Sequence, residues 1–310
     1  MAYFSDQPMS RSKAIITFLS GLFFTQAAFT QQGLLWRVTG NGHTGFVYGT
    51  MHTSDSVANS MDSTVMNALH QCKAVLLEGD LAQIPDPMRM AELMSLSQGT
   101  LSDLYSESEM VEIERYLEDK LPSAAQLLKE QWCPIFLLLM IQQAEEMARV
   151  QVDQNTLLQE AMDMRFQRMA DASGIATHGL ESWDEQMQSV SGIPLDIQAK
   201  LLLESARGKQ FSQLVTSDIV QHYYNQDLSA MMGFMDENDP MQKAFFDAVL
   251  FHRNDRFGAR ALPYFESGST FMAVGALHLA GQRGVLALLR NAGYTVEQVP
   301  FVFLKYHTTH

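Results

Sequence analysis

Two stretches of the chain carry the same pattern of apolar and polar positions. Phe46-Val47-Tyr48 and Phe271-Met272-Ala273-Val274 are short apolar runs that end at a glycine. Each glycine is followed three residues later by a histidine, in Gly49-Thr50-Met51-His52 and in Gly275-Ala276-Leu277-His278. Short apolar runs closed by a glycine read as buried strands. After the first comes a polar loop, a helix-like stretch over 60–71, and the apolar run Ala74-Val75-Leu76-Leu77, which stops at Glu78. After the second come helical spacing over 285–290, the stop Asn291-Ala292-Gly293, and a strand-like segment over 294–299. Each half is therefore strand, Gly-x-x-His, helix, strand, about the thirty residues of a βαβ unit. The weak repeat predicts two equivalent loops facing one cleft, because ligands in such sheets bind outside the carboxyl ends of the strands.

The rest of the pattern fills in around these units. Apolar and polar positions alternate over 34–39 and 46–48 about Gly40-Asn41-Gly42, a hairpin signal. A proline-rich loop over 81–87 gives way to helical spacing near 3.6 from about 88 to 172, in 108–117, 124–128, 134–150 and 155–172. Ser173-Gly174 stops those helices, and 175–180 reads as a return strand ending at Glu181. Helices resume from about 184 to 254, broken near Gly192-Ile193-Pro194 and at Asn238-Asp239-Pro240. The expected fold is α/β: a central β-sheet built from the two pseudo-repeated units, with a large helical insertion at about 88–172 and flanking helices. Residues 28–310 read as one domain.

Composition changes this picture in three places. The chain has 310 residues, 46% of them hydrophobic, enough for a large core, and its formal charge of −14 provides no basic stripe for nucleic acid. At the start, Arg11 and Lys13 precede an apolar run over 14–24, and small residues follow at Thr25 and Ala27. That order reads as a cleaved secretory signal over 1–27, with an uncleaved anchor as the alternative and Met9 as an alternative first residue, and it predicts a periplasmic or secreted protein. The run is too short for a membrane span, and the pattern predicts no span after signal cleavage. Only two cysteines are present, Cys72 and Cys133; in an oxidising compartment they are either a disulfide or two small buried residues.

His52 and His278 are the leading candidates for chemistry, because their contexts repeat. Glu78 and Glu181 each end a strand and should emerge on the same sheet edge. Two histidines and one or two carboxylates on one edge describe a metal site or a metal-free His/Glu acid–base pair. The donor set suits zinc with one open position, and manganese or cobalt with more waters. Arg253 and Asn254 lie in a polar cluster on an otherwise amphipathic helix. A guanidinium there either stabilises a developing oxyanion or holds a substrate carboxylate, and a solvated helix face is the plainer reading. Gly-x-Ser-x-Gly, His-Glu-x-x-His, Walker and Gly-x-Gly-x-x-Gly signatures are absent from the sequence.

Taken in order, these pieces resemble the TraB/GumN family. Leu35-Trp36-Arg37-Val38 opens the resemblance, and Tyr48-Gly49-Thr50-Met51-His52 is its first motif. Leu77-Glu78-Gly79-Asp80, Val152-Asp153, Leu180-Glu181-Ser182 with Gln186, and Arg253-Asn254 follow. Ala273-Val274-Gly275-Ala276-Leu277-His278-Leu279 is the second motif. That family includes the TIKI-type Wnt-inactivating proteases and falls in the erythromycin esterase/ChaN-like superfamily. The resemblance implies a metal-dependent hydrolase, a manganese- or cobalt-assisted peptidase in the TIKI-type members. On that model His52, Glu78 and His278 bind the metal or activate its water, and Arg253 supports charge in the transition state. The superfamily also contains a haem-binding lipoprotein and a metal-independent esterase. Two further expectations therefore stand beside the hydrolase: a metal- or haem-binding envelope protein without turnover, and a metal-free His/Glu esterase. An interaction protein with a vestigial cleft is a third. The substrate, peptide or small molecule, and the oligomeric state are left open.

Overall fold

The structure, a computed structural model, describes residues 31–51, 62–80, 86–122, 131–150, 161–208, 217–233, 235–236 and 238–303. The signal-like segment, the predicted helix over 124–128 and His52 lie outside the described residues. Of the predicted helix over 155–172, the part from Ala161 is described, and it is helical from Met162.

The elements start with β1 (Leu35–Gly40) and β2 (His43–Thr50), a hairpin whose strands pair through Gly40 and His43. Asn41 and Gly42 turn it, with φ of 51° and 78°. Both left-handed values belong to a two-residue turn that matches strand twist, which is why Asn-Gly is placed there. Next come α1 (Ser63–His70) and β3 (Ala74–Gly79), then α2 (Pro87–Met94), α3 (Glu107–Lys120), α4 (Pro134–Val150) and α5 (Met162–Ala172). β4 (Ala176–Glu181) follows, then α6 (Trp183–Ser191), α7 (Leu195–Ala206), α8 (Ser217–Tyr224), α9 (Leu228–Met232) and α10 (Pro240–Phe246). One π turn, Asp247–Phe251, leads into α11 (His252–Ser267). β5 (Thr270–Gly275), α12 (Ala276–Leu279), α13 (Val285–Asn291) and β6 (Thr295–Gln298) complete the order.

The architecture is mixed α/β around a six-stranded sheet of order β4-β3-β5-β2-β1-β6. β2, β3, β4 and β5 run parallel, and β1 is antiparallel to both of its neighbours. The two strands that precede the Gly-x-x-His segments, β2 and β5, are direct neighbours, with Thr50 opposite Gly275. The chain therefore leaves the sheet at the same edge after Thr50 and after Gly275. Val75, Leu76 and Leu77 in β3 and Phe271 to Val274 in β5 have no exposed surface. A parallel strand covered on both faces tolerates such an unbroken apolar run. The edge strand β6 is polar and largely exposed, as an edge that must not recruit another strand should be.

Helices cover both faces. Phe166 of α5 touches Phe271 and Tyr48, and Tyr223 of α8 hydrogen-bonds Tyr48, on one face. On the other face lies α11, whose Phe257, Ala261 and Phe265 are buried; a side chain at Gly45 of β2 would strike Phe265. A second core forms away from the sheet. Ile113 and Leu117 of α3, Ile135, Phe136 and Leu138 of α4, and Leu201 and Leu202 of α7 pack there. The helices between β3 and β4 thus divide between two cores: α5 joins the sheet, and α3 and α4 join the second cluster. Cys72 is buried in the first core and Cys133 in the second, and both are free thiols. Burial pushes the Cys72 thiol up to about 12, so it is inert packing. Among the described residues, no helix is long and apolar enough to cross a membrane.

Candidate active site

The site forms where β3, β4 and β5 end, opposite the first turn of α11. Side chains alternate along a strand, so Leu76 and Glu78 of β3 share a face. Glu78 ends that row and meets Arg253. The π turn sets the register of α11: His252 N–H bonds back to Asp247 O. The extra residue rotates the helix that follows, a local feature often found at functional sites. Arg253 and Asn254 then face inward and are buried, although the sequence around them is polar.

Arg253 is the hub. Its Nη2 donates to Glu78 Oε2 at 2.6 Å and to Glu181 Oε1 at 2.5 Å, and its Nε donates to Glu181 Oε1 at 2.9 Å. Its Nη1 donates to Val249 O at 3.2 Å and lies 3.4 Å from His278 Nε2. Burial works against its charge, but Glu78 and Glu181 outweigh that and hold the guanidinium firmly protonated. Glu181 is 2% exposed and also accepts from Arg256 Nη2 at 2.9 Å. One turn on, Arg260 grips both oxygens of Glu185, at 2.7 and 2.6 Å. That grip, despite partial burial, holds Glu185 down at about 2. Arg253, Arg256 and Arg260 form a stripe on α11 that meets Glu78, Glu181 and Glu185, so the charges alternate and balance.

His278 sits in the single turn of α12, directly after β5. Its Nδ1 is 2.6 Å from Asn254 Oδ1, and Asn254 Nδ2 donates to Arg283 O at 2.9 Å. A carbonyl only accepts, so it fixes the amide with its oxygen toward the imidazole. The amide oxygen in turn requires a proton on Nδ1. Nε2 is then the acceptor nitrogen, 3.7 Å from Glu78 Oε1. Gly275 donates its N–H to Glu78 Oε1 at 2.7 Å. A Cβ at Gly275 would stand 3.2 Å from that oxygen and 3.4 Å from the His278 ring. The motif glycine is thus favoured by close approach, since a Cβ would push on both side chains by a few tenths of an ångström.

The structure brings together four of the five residues expected from sequence: Glu78, Glu181, Arg253 and His278. The fifth, His52, is not among the described residues. Arg256 and Asn254 belong to the same network. The signal that could have exposed Arg256 was the i, i+3, i+7 spacing of three arginines beside two strand-end glutamates. Asn254 was marked in the sequence with Arg253, but its partner His278 was not, since that lies 24 residues away.

Asn254 yields a direct prediction. In 15N spectra His278 should be present as the Nδ1–H tautomer, and Asn254→Leu should convert it to a mixture. A wild-type Nε2–H tautomer would contradict the assignment. The substitution should also cost about 1–3 kcal/mol, because it leaves a buried imidazole N–H and the Arg283 carbonyl unpaired.

The residues can be tested against a divalent ion. Glu78 Oε1 and His278 Nε2 are donors of the right chemistry, and their separation of 3.7 Å suits two neighbouring ligands at about 2.0–2.2 Å from one ion. They therefore fit as two ligands. Among the described residues no group of three or more His, Cys, Asp or Glu side chains meets.

A sequence profile of the TraB/PrgY/gumN family matches residues 34–298. Metalloprotease TIKI2 of Xenopus tropicalis is 23% identical over 306 residues, which covers 82% of this chain and 58% of that protein. Metalloprotease TIKI1 of Xenopus tropicalis is 26% identical over 195 residues, covering 54% of this chain and 37% of the relative. Metalloprotease TIKI1 of Homo sapiens is 27% identical over 195 residues, covering 54% and 38%. The chain thus spans between about a third and three-fifths of the length of these relatives. No solved structure matches it.

Proposed function

Because the chain belongs to the TraB/PrgY/gumN family, we propose that it is a metal-dependent hydrolase, a peptidase, that works in the periplasm or after secretion. The observation that carries the reading is the convergence of Glu78, His278 and Arg253 at the end of neighbouring parallel strands. The distant homology to metalloproteases supports the reaction class. The basic-then-apolar start of the sequence supports the location.

In this reading Glu78 Oε1 and His278 Nε2 hold the ion, with His52 as the third ligand; manganese or cobalt is proposed, with zinc as the alternative. When bound, a divalent ion polarises a carbonyl and lowers the pKa of a water. The protein does the rest. Asn254 keeps the proton on Nδ1, so that Nε2 presents its lone pair. The Gly275 N–H and Arg253 fix both oxygens of Glu78. Arg253, held protonated between Glu78 and Glu181, would turn its Nη1 edge toward charge developing beside His278. Glu181 and Arg256 hold Arg253 in position.

A second reading has one observation in its favour: Arg253 Nη1 lies 3.4 Å from His278 Nε2, where it donates to the same lone pair that a metal would use. It is a metal-free hydrolase in which His278 and Glu78 exchange the proton. One experiment separates the two. The purified chain is equilibrated with manganese, cobalt or zinc, freed of excess, and its metal counted by mass spectrometry, beside the His52→Ala/His278→Ala variant. A peptide library is then digested with and without chelator. About one ion per chain, lost in the variant, with chelator-sensitive cleavage, is the expected result. Cleavage without metal selects the second reading, and neither metal nor cleavage sinks both.

A further inference from the structure

Beside the charge cluster lies an open cavity of about 360 Å³, within the size range of ligand sites. One wall is a face of α6, with Gln188 and Ser189, and its cap Gly192; the other is formed by His252 and Arg256 of α11. Arg256 joins this cavity to the active-site cluster. Its Nη2 bonds Glu181 Oε2 at 2.9 Å inside the cluster and Ser189 Oγ at 2.7 Å in the cavity wall.

Three features define what the cavity would take. First, Arg256 Nε is buried and has no hydrogen-bond partner among the described residues. That nitrogen is occluded, but the Arg256 side chain is 29% exposed and its hydrogen bonds among the described residues all leave from Nη2, so Nη1 has donor capacity that the fold does not use. Second, the one carboxylate in the wall does not compete for it. Both oxygens of Glu185 are held by Arg260, and Ser182 N–H bonds one of them as well. Third, His252 and Gln188 are exposed at the cavity, so two more side chains able to donate line the same groove. A lining of donors around an arginine selects an acceptor of negative charge, and a planar guanidinium suits a carboxylate.

The wall runs along α6 from Glu185 to Gly192. At about 1.5 Å per helical residue this is on the order of 10 Å, the length of roughly three residues of extended peptide. From these observations we infer that the cavity is a substrate subsite for an acidic side chain of an extended peptide, read by Arg256. The inference deepens the hydrolase reading above and rests on it.

The test reads binding, not turnover, so it is independent of whether cleavage is found. Acetyl-Gly-Gly-Glu-Gly-Gly-amide and the matching glutamine peptide are titrated into the full chain by calorimetry. The glutamate peptide should bind at least about tenfold more tightly, the value of a charge-assisted hydrogen bond. Arg256→Gln should abolish the preference. Because Arg256 also supports Glu181, that variant is checked by thermal melting. Gln188→Ala/His252→Ala, at two exposed positions, should reduce the preference several-fold with the fold intact. Equal affinity for the two peptides, or a preference undiminished in a folded Arg256→Gln or in the double variant, overturns the inference.

Discussion

Arg253→Met is expected to destabilise the chain by about 3–5 kcal/mol, the cost of removing one partner from a buried ion pair. Arg253 is 9% exposed, and its guanidinium neutralises two carboxylates that are themselves 6% and 2% exposed. Methionine fills the stem of the space but takes the guanidinium from Glu78, which keeps the Gly275 N–H, and from Glu181, which keeps Arg256. The two like charges then face each other without the cation that separated them. The effect should be visible as a lower denaturation midpoint with an unchanged slope, since the surface exposed on unfolding is the same. The pair can be isolated with a double-mutant cycle. Glu181→Gln and Arg253→Met share the same hydrogen bonds, so the double variant should lose less than the sum of the singles. Additive losses would mean that the ion pair contributes nothing as a pair, and a stability loss below about 1 kcal/mol would remove Arg253 as the hub of the site.

His278→Gln is expected to lower peptide hydrolysis by about 10²- to 10⁴-fold, the range associated with a positioned proton-transfer group. Glutamine preserves side-chain hydrogen bonding and much of the volume packed against Phe257, whose ring lies 5.1 Å away, so thermal stability should change little. What it removes is the imidazole lone pair that faces Glu78 and Arg253. Both readings of the reaction require that nitrogen, either as a ligand or as a proton carrier. The metal count in the same variant distinguishes them: a drop supports ligation, and retention supports proton transfer. Hydrolysis within threefold of wild type would exclude His278 from the chemistry.

Much of this was legible along the chain. The buried strands announced themselves as β3 and β5 because both faces are covered, which makes them continuous apolar runs. The hairpin was legible because Asn41-Gly42 is the chemistry its turn requires. Glu78, Glu181 and His278 were legible as residues at strand ends, where an α/β sheet places its ligands. Arg253 was harder. Its neighbours His252, Asp255 and Arg256 are polar, which reads as a solvated helix face, yet the helix buries Arg253 and Asn254 because their partners come from three distant segments. Helical periodicity between β3 and β4 was also visible, but it is the same for a helix on the sheet and a helix in a second core. α5 and α4 differ in what covers them, and that is absent from their own patterns.

The sequence by itself determined the class of the fold, most of its elements, and the residue types that end the strands, because these follow from local spacing and turn chemistry. The tertiary structure alone decided that β2 and β5 are neighbours, that Asn254 sets the proton on His278, and that Arg253 is shared by two glutamates. Those are contacts between residues far apart in the chain. Burying the charges costs desolvation that is repaid only when their partners arrive together, and no local pattern records which segments will do so.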